Sequence, residues 1–369
     1  MPQEWAGIAN STIHKYIREE EIEILRNRKV TALLQDRGRV TFNHSGDAVE
    51  WPVRFMRAPM SGYADSDTLT FSKRNRRKKA LLDWRGYAST ESLTKLDTLK
   101  NRGTEAIVKL LATTAPSLMQ DMEDQFGDEL YKDGNLAANI KGIHGLESMF
   151  STSGAKASGY VGSPNDTYAG LVTTLGNYGG SWSEVASVNN WPDGTGDAHY
   201  DFWTPLVVDY TDTAWSATTK TWPNTCEEAL AYGIIEGRRN KSKRGMLDII
   251  LVERKLFREF TEAQRLKEGI SVVRGQSMGS NKGRIYDLGF TDVFNFEGVD
   301  LTTEYGLPTG VGYGICINDL ELMSMQENLF VPGGPVEDET TQSIRFWIDF
   351  FGNLKIASPR NFVKWVSIT

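Results

Sequence analysis

The sequence has little of what builds covalently or metal-stabilised proteins, with only two cysteines and four histidines in 369 residues. Two cysteines are too few for a disulfide framework, and the scattered histidines lack the spacing of zinc ligands. No apolar run approaches the roughly 20 residues that a membrane-spanning helix requires. The first residues also lack the cationic segment and apolar core of a secretory signal. We therefore expect no disulfide framework, no metal site and no membrane partner.

Motifs for enzyme chemistry are also missing, because no Walker-type loop and no complete dinucleotide fingerprint occurs. The strongest catalytic pattern is Gly275-Gln276-Ser277-Met278-Gly279, which matches the nucleophile elbow of hydrolases. That elbow needs a following helix and a downstream histidine, but residues 280–283 are poor helix formers and His199 is the last histidine. A surface loop explains the segment better, so a serine hydrolase using Ser277 is only a remote alternative. We expect no enzyme activity and no cofactor.

Charge is spread unevenly along the chain, whose formal net charge is −7. Residues 1–100 contain 18 Lys and Arg against 13 Asp and Glu, and residues 101–369 contain 23 against 35. The first part is therefore basic and the remainder acidic. This complementarity suits head-to-tail contact between identical chains.

The most informative segment begins near Asp47 and predicts a long two-stranded projection. An alternating strand at 49–55 is followed by a return strand at 80–84, and six cations fill the seven residues 73–79 between them. Ser, Gly and Asp are frequent at 58–72, as in a loop. A two-stranded projection cannot bury both of its faces by itself, so we expect it to lie on another surface.

The cationic tip has three candidate environments: a neighbouring copy of the chain, a nucleic acid, or solvent alone. Nucleic-acid binding calls for stacking or groove-reading residues, and Phe71 is the one aromatic residue beside the cations. We favour the neighbouring copy, because the acidic remainder of the chain supplies an oppositely charged partner. Burial of apolar residues would then supply the strength of the contact, and the cations would set the register of the two copies. The candidate contact residues are Trp51, Val53, Phe55, Lys73, Arg74, Arg76, Arg77, Lys78, Lys79, Leu82 and Trp84.

A long helix is predicted directly after the projection. Ser92 or Thr94 can cap it, and apolar residues recur at three and four positions from Leu96 to Phe126. The pattern covers about 30 residues, against a mean of about 11–12 for globular helices. Pro116 removes one backbone donor, so we expect the helix to bend there or to split in two.

The remaining patterns alternate between helix and strand and predict a mixed α+β protein. An amphipathic segment covers 4–34, and a short helical pattern covers 136–150. Further predictions are strands at 205–208, 246–252, 293–296 and 313–318, helices at 225–239 and 253–267, and an alternating strand from 344 with a turn at 351–353 before 354–356.

The order of these elements resembles the major capsid proteins of tailed bacteriophages with the Hong Kong 97-type fold, over nearly the whole chain. The resemblance rests on many short segments and on no single signature. They include Gly142-Ile143-His144-Gly145-Leu146-Glu147, Asp287-Leu288-Gly289-Phe290, Gly298-Val299, Glu304, Pro308-Thr309-Gly310, Tyr313-Gly314-Ile315-Cys316-Ile317-Asn318, Arg345-Phe346-Trp347, Asn353-Leu354 and Ser358-Pro359-Arg360-Asn361.

This resemblance implies an α+β fold with an N-terminal arm, an extension loop, a spine helix, a peripheral domain and an axial domain. The implied boundaries are 1–45 for the arm, 46–92 for the extension loop, 93–135 for the peripheral domain with its spine helix, 136–335 mainly for the axial domain with interleaved peripheral strands, and 336–369 for the closing peripheral strands.

The resemblance also implies self-assembly into hexamers and pentamers that form an icosahedral shell around double-stranded DNA. Assembly would occur in the host cytoplasm, with a portal, decoration proteins and a scaffold as further partners. No scaffolding leader stands before Trp5, so the scaffold is expected to be a separate protein or a leader that has already been removed. No lysine aligns with the cross-linking lysine of the founding member, and we expect no cross-link. An encapsulin-type compartment that encloses a cargo enzyme is the alternative with the same fold.

Overall fold

A computed structural model describes most of the chain and defines its two main sheets. The described residues are 28–54, 60, 62–69, 71, 77–94, 104–150, 155–156, 160–161, 167–173, 203–212, 215–238, 246–268, 293–338 and 343–367. The predicted N-terminal segment at 4–34 lies outside them up to residue 27, and so does Ser277.

The described residues form four α-helices. They are α1 (Lys29–Asp36), α2 (Thr104–Glu129), α3 (Trp222–Gly237) and α4 (Arg254–Glu268). None of them is long and apolar enough to cross a membrane. Helices α3 and α4 confirm two of the predicted helices, although α3 begins three residues earlier because Pro223 fits the first turn of a helix.

The long helix α2 begins at Thr104, so the predicted cap at Ser92 or Thr94 is wrong. Both residues lie in a strand that covers Arg85–Thr94, where tertiary pairing overrides the helical pattern. Helix α2 also continues through Pro116 as one 26-residue element, so the predicted split does not occur. Leu118, Met119, Met122 and Phe126, which follow the proline, pack into the core and stabilise this part of the helix.

The strands are numbered in chain order and fall into two main sheets and three short hairpins. They are β1 (Val40–Thr41), β2 (Ala48–Arg54), β3 (Arg77–Asp83), β4 (Arg85–Thr94), β5 (Ala155–Lys156), β6 (Tyr160–Val161), β7 (Thr167–Tyr168), β8 (Leu171–Val172), β9 (Leu206–Asp209), β10 (Ile249–Val252), β11 (Val293–Phe296), β12 (Val299–Thr302), β13 (Gly312–Ile315), β14 (Leu320–Ser324), β15 (Val331–Asp338), β16 (Ser343–Ile356) and β17 (Val363–Val366).

The first sheet contains five strands and is built around β16. This strand pairs with β4, β14 and β15, and β1 adds to β14. Strand β16 is continuous over 14 residues, so the turn predicted at 351–353 is wrong. Gly352 pairs with both Arg85 of β4 and Ser324 of β14, and these two ladders hold the glycine in extended backbone.

The second sheet contains six strands in the order β11-β12-β10-β13-β17-β9 and packs against α3 and α4. Its strands β9, β10 and β11 confirm predicted strands. The strand predicted at 313–318 ends at Ile315, and a 3₁₀ turn follows at Ile317–Asp319. The predicted α+β class is therefore confirmed.

Candidate subunit-contact surface of the projecting hairpin

Strands β2 and β3 form the predicted two-stranded hairpin, in an antiparallel register that pairs Ala48 with Asp83 and Arg54 with Arg77. Side chains alternate between its two faces, because successive residues of a strand point to opposite sides. The inner face is apolar and buried. Its five buried residues are Val49, Trp51, Val53, Ala80 and Leu82.

The inner face is covered by the same chain. The Trp51 ring lies 6.4 Å from the Trp203 ring, and Lys355 Nζ lies 5.6 Å from the Trp51 ring centre. The backbone N–H of Leu81 donates to the carbonyl of Ala169 at 3.0 Å. Trp51, Val53 and Leu82 therefore have little area left for a neighbouring subunit, and the apolar strength of a contact must come from other residues.

The outer face of the hairpin is exposed and mostly charged. Arg54 and Arg77 stand opposite each other, and Lys79 forms an ion pair with Glu50 on the same face. Leu81 is the large apolar side chain exposed on this face. The three cations outnumber the acidic Glu50 and Asp83, so this face carries a net positive charge.

The loop between β2 and β3 exposes a group of large apolar side chains. The apolar loop group consists of Met60, Tyr63, Leu69 and Phe71, with exposed fractions of 98%, 62%, 63% and 90%. A turn orders its middle, where the N–H of Ala64 donates to Asp67 Oδ2 at 2.9 Å. Four large apolar side chains exposed within one loop make this loop a candidate interaction surface. The sequence does not predict this group, because the surrounding Ser, Gly and Asp residues indicate only a loop.

The other predicted contact residues have different positions. Lys78 is exposed at the far end of the inner face, opposite Val53. Trp84 is held at the base of the hairpin, where its Nε1–H donates to the Gly46 carbonyl at 2.8 Å and its ring stacks on His44. Phe55, Lys73, Arg74 and Arg76 lie outside the described residues. For all eleven predicted residues, the assignment to a subunit contact stays a prediction.

Asn353 fixes the base of the hairpin to the five-stranded sheet. Its Nδ2 donates to the Asp83 carbonyl at 2.7 Å, and its Oδ1 accepts from the N–H groups of His144 and Leu354 at 2.9 and 2.8 Å. His144 Nδ1 lies 3.1 Å from the same Nδ2. Burial, assisted by the cation of Arg85, lowers the pKa of His144 to about 4. The ring is therefore neutral at pH 7 and its Nδ1 can accept this hydrogen bond.

A second anchor joins the start of α1 to α2 and to the loop after β12. The Arg28 guanidinium donates to the carbonyls of Asp124, at 2.9 Å, and Tyr305. Lys29 Nζ donates to Thr302 Oγ1 at 2.7 Å. The N–H of Val30 donates to Glu304 Oε2 at 3.2 Å. Three separate parts of the chain therefore meet around one buried carboxylate.

Glu304 makes the second anchor sensitive to pH. Burial raises the pKa of its carboxyl to about 7, although the N–H of Val30, the hydroxyl of Tyr131 and the cations Arg28 and Lys29 oppose the rise. A raised folded-state pKa means that the folded protein holds the proton more tightly than the unfolded chain does. This contribution to stability is complete below about pH 4.5 and is lost as the pH rises through about 7.

We expect Glu304→Gln to remove this pH dependence, because an amide can accept the hydrogen bond from Val30 without titrating. Between pH 5 and pH 8 the free energy of unfolding of the parent should fall relative to the variant by about 3 kcal/mol. Chemical denaturation at both pH values measures the difference. Glu327→Gln changes an exposed carboxylate and is the matched control. Equal pH dependence in the parent and in Glu304→Gln would contradict the prediction.

Metal-binding chemistry finds no support in the described part of the chain, which holds no group of three or more His, Cys, Asp or Glu residues placed to bind a metal ion. The two cysteines, Cys226 and Cys316, are buried and form no disulfide. The hairpin with its apolar loop group is the candidate functional surface, because its loop exposes large apolar side chains.

No protein-family model matches the sequence, and a sequence search among characterised proteins finds no match. Solved structures, in contrast, share the fold. A chain of the cyanophage A-1(L) capsid asymmetric unit matches with a TM-score of 0.55 at 16% identity, over 91% of each chain. A chain from the capsid of a native GTA particle matches with a TM-score of 0.50 at 8% identity, also over 91% of each chain. The chain therefore has the Hong Kong 97-type fold that the resemblance implied.

Proposed function

We propose that this chain is the major capsid protein of a tailed bacteriophage and has a structural, non-enzymatic role. Copies assemble into hexamers and pentamers that close an icosahedral shell around double-stranded DNA. The observation that carries the proposal is the projecting hairpin, whose loop exposes four large apolar side chains to solvent. The fold shared with chains of two capsid structures supports it as well. A fold alone does not establish a function, so the proposal depends on the exposed surface of the hairpin.

The apolar loop group supplies the strength of the contact with a neighbouring copy. At about 25 cal/mol per Å², burial of a few hundred Å² contributes several kcal/mol before ordering is subtracted. One such contact is weak, but each subunit of a closed shell both offers a hairpin and receives one. Many weak contacts therefore hold the shell together while single subunits remain separable during assembly.

The charged outer face sets the register of the same contact. Arg54, Arg77 and Lys79 outnumber Glu50 and Asp83 on this face, and residues 101–369 of a neighbouring copy are acidic. Exposed ion pairs contribute only about 0–1 kcal/mol each, so they guide association more than they strengthen it. The DNA is then the content of the shell and is held without sequence-specific contacts.

The domain assignment follows from the same proposal. The five-stranded sheet with α2 is the peripheral domain, and the six-stranded sheet with α3 and α4 is the axial domain. The protein resides in the virion after assembly in the host cytoplasm, and its further partners are a portal, decoration proteins and a scaffold. The same chain must fit into both hexamers and pentamers, so the hairpin contact must tolerate small changes of angle between subunits. A contact made by a loop allows such changes.

Negative-stain electron microscopy of the purified protein tests the proposal. We expect capsomers, closed shells or tubes, and particles from phage-infected cells should contain nuclease-protected double-stranded DNA. A protein that stays monomeric under all assembly conditions, including with a co-expressed scaffold, would overturn the capsid assignment. Shells that contain a protein cargo in place of DNA would instead identify an encapsulin-type compartment.

A further inference from the structure

Strand β4 presents a long open edge on the five-stranded sheet. One edge of β4 pairs with β16 over ten residues, from Arg85 opposite Gly352 to Thr94 opposite Ser343. No strand in the described part of the chain pairs with its other edge. An edge of this kind offers a row of backbone N–H and C=O groups to another chain, and most proteins block it.

Strand β15 pairs with the opposite edge of β16 and has features that block pairing with a further strand. It carries Pro332 and Pro335, and its register shifts between Gly333 and Val336, with Gly334 at a φ of +89°. Prolines and bulges are the ordinary protection of edge strands. Strand β4 has no proline and its ladder has no bulge. Its edge is therefore suited to pairing.

The charged residues of β4 are arranged so that two antiparallel copies of the strand are complementary. Arg85 and Glu91 are its only charged residues, have opposite signs, and lie on one face because they are six positions apart. Neither has a hydrogen-bond or ion-pair partner among the described residues, and Arg85 Nε is buried without one. Ala88 lies midway between them. A second β4 running in the opposite direction would place each arginine beside the other copy's glutamate.

We infer that the open edge of β4 pairs antiparallel with β4 of a second copy, about a two-fold axis at Ala88. In this register Arg85 faces Glu91, Gly86 faces Thr90 and Ala88 faces its own equivalent. A register centred on Ser89 would instead place Arg85 opposite Leu93 and Glu91 opposite Tyr87, and both charges would be left unpaired. The inference rests on the proposed shell for the supply of neighbouring copies and adds a two-fold contact separate from the hairpin loop.

A pair of cysteine variants tests the axis. Residues directly opposite in an antiparallel pair have Cα atoms about 4.5–5.5 Å apart, within the range for a disulfide. Ala88→Cys should therefore cross-link assembled protein into dimers on a non-reducing gel after mild oxidation. Ser92→Cys is the matched control, since Ser92 is exposed on the same face of β4 as Ala88. Two Ser92 residues would be eight positions apart, or about 27 Å. The native Cys226 and Cys316 are buried and give no background.

Charge exchange in the Ala88→Cys background tests the register. Arg85→Glu or Glu91→Arg alone should lower the cross-linked fraction by about tenfold, because each places like charges together at both ends of the pair. The double variant R85E/E91R restores both pairs and should restore the yield. Thermal unfolding of each variant shows whether its subunit is intact.

The outcomes separate this inference from the proposed function. Particles that form while Ala88→Cys stays monomeric, or cross-links no better than Ser92→Cys, overturn the two-fold β4 contact and leave the capsid assignment standing. Cross-linked dimers without any particles support the β4 contact and count against the shell. Failure of the charge exchange to restore the yield overturns the register.

Discussion

Replacing Met60, Tyr63, Leu69 and Phe71 with serine should abolish particle formation while leaving the subunit folded. All four side chains are exposed and outside the core, so the free energy of unfolding should change by less than about 0.5 kcal/mol per residue. The contact would lose most of its apolar burial, on the order of 4 kcal/mol for each hairpin. That loss weakens each contact about a thousandfold. Electron microscopy and sedimentation measure assembly, and thermal unfolding measures the fold.

A quadruple variant that keeps the loop apolar is the matched control for this experiment. Met60→Leu, Tyr63→Phe, Leu69→Ile and Phe71→Leu change shape but preserve most of the apolar area, so this protein should still assemble. Normal particles from the serine variant would show that the apolar loop group is not the contact. A serine variant that fails to fold would show instead that the loop packs within its own subunit.

The hairpin shows what local sequence can reveal about such a contact. Alternation at residues 49–55 predicts a strand with one apolar face, and the structure confirms β2. Alternation does not identify what covers that face, because Trp203, which packs on Trp51, lies 152 positions away in the chain. The structure assigns the cover to the same subunit and moves the candidate contact to the loop and the outer face.

Two of the wrong secondary-structure predictions, the helix cap and the turn, share a physical cause. Ser92 and Thr94 are good helix caps, although threonine also favours strands, and residues 351–353 have the composition of a turn. Both segments are extended because β4 and β16 pair with each other along ten residues. A ladder between segments about 250 residues apart leaves no signal in either segment alone. Strands β10 and β11 and helix α4 were predictable because their own apolar patterns are unambiguous.

Replacing the buried Asn353 with leucine should give the largest loss of subunit stability. Leucine has a similar size but leaves the Asp83 carbonyl and the N–H groups of His144 and Leu354 without their partner. Each buried polar group left unpaired costs about 1–3 kcal/mol, so we expect a loss on the order of 4 kcal/mol. Urea denaturation measures this change. Hydrogen exchange should locate it, with β2 and β3 losing protection before the six-stranded sheet does.

Asn295→Leu separates the loss of this network from a general effect of removing an amide. Asn295 is exposed and its Nδ2 donates to Asp300 Oδ1 at 3.0 Å, so its loss should change stability by less than about 1 kcal/mol. Similar losses in the two variants would contradict the anchoring role of Asn353. Because Asn353 holds the base of the hairpin, its leucine variant should also release the hairpin from its own subunit. Assembly should then fail even at temperatures where the six-stranded sheet remains folded.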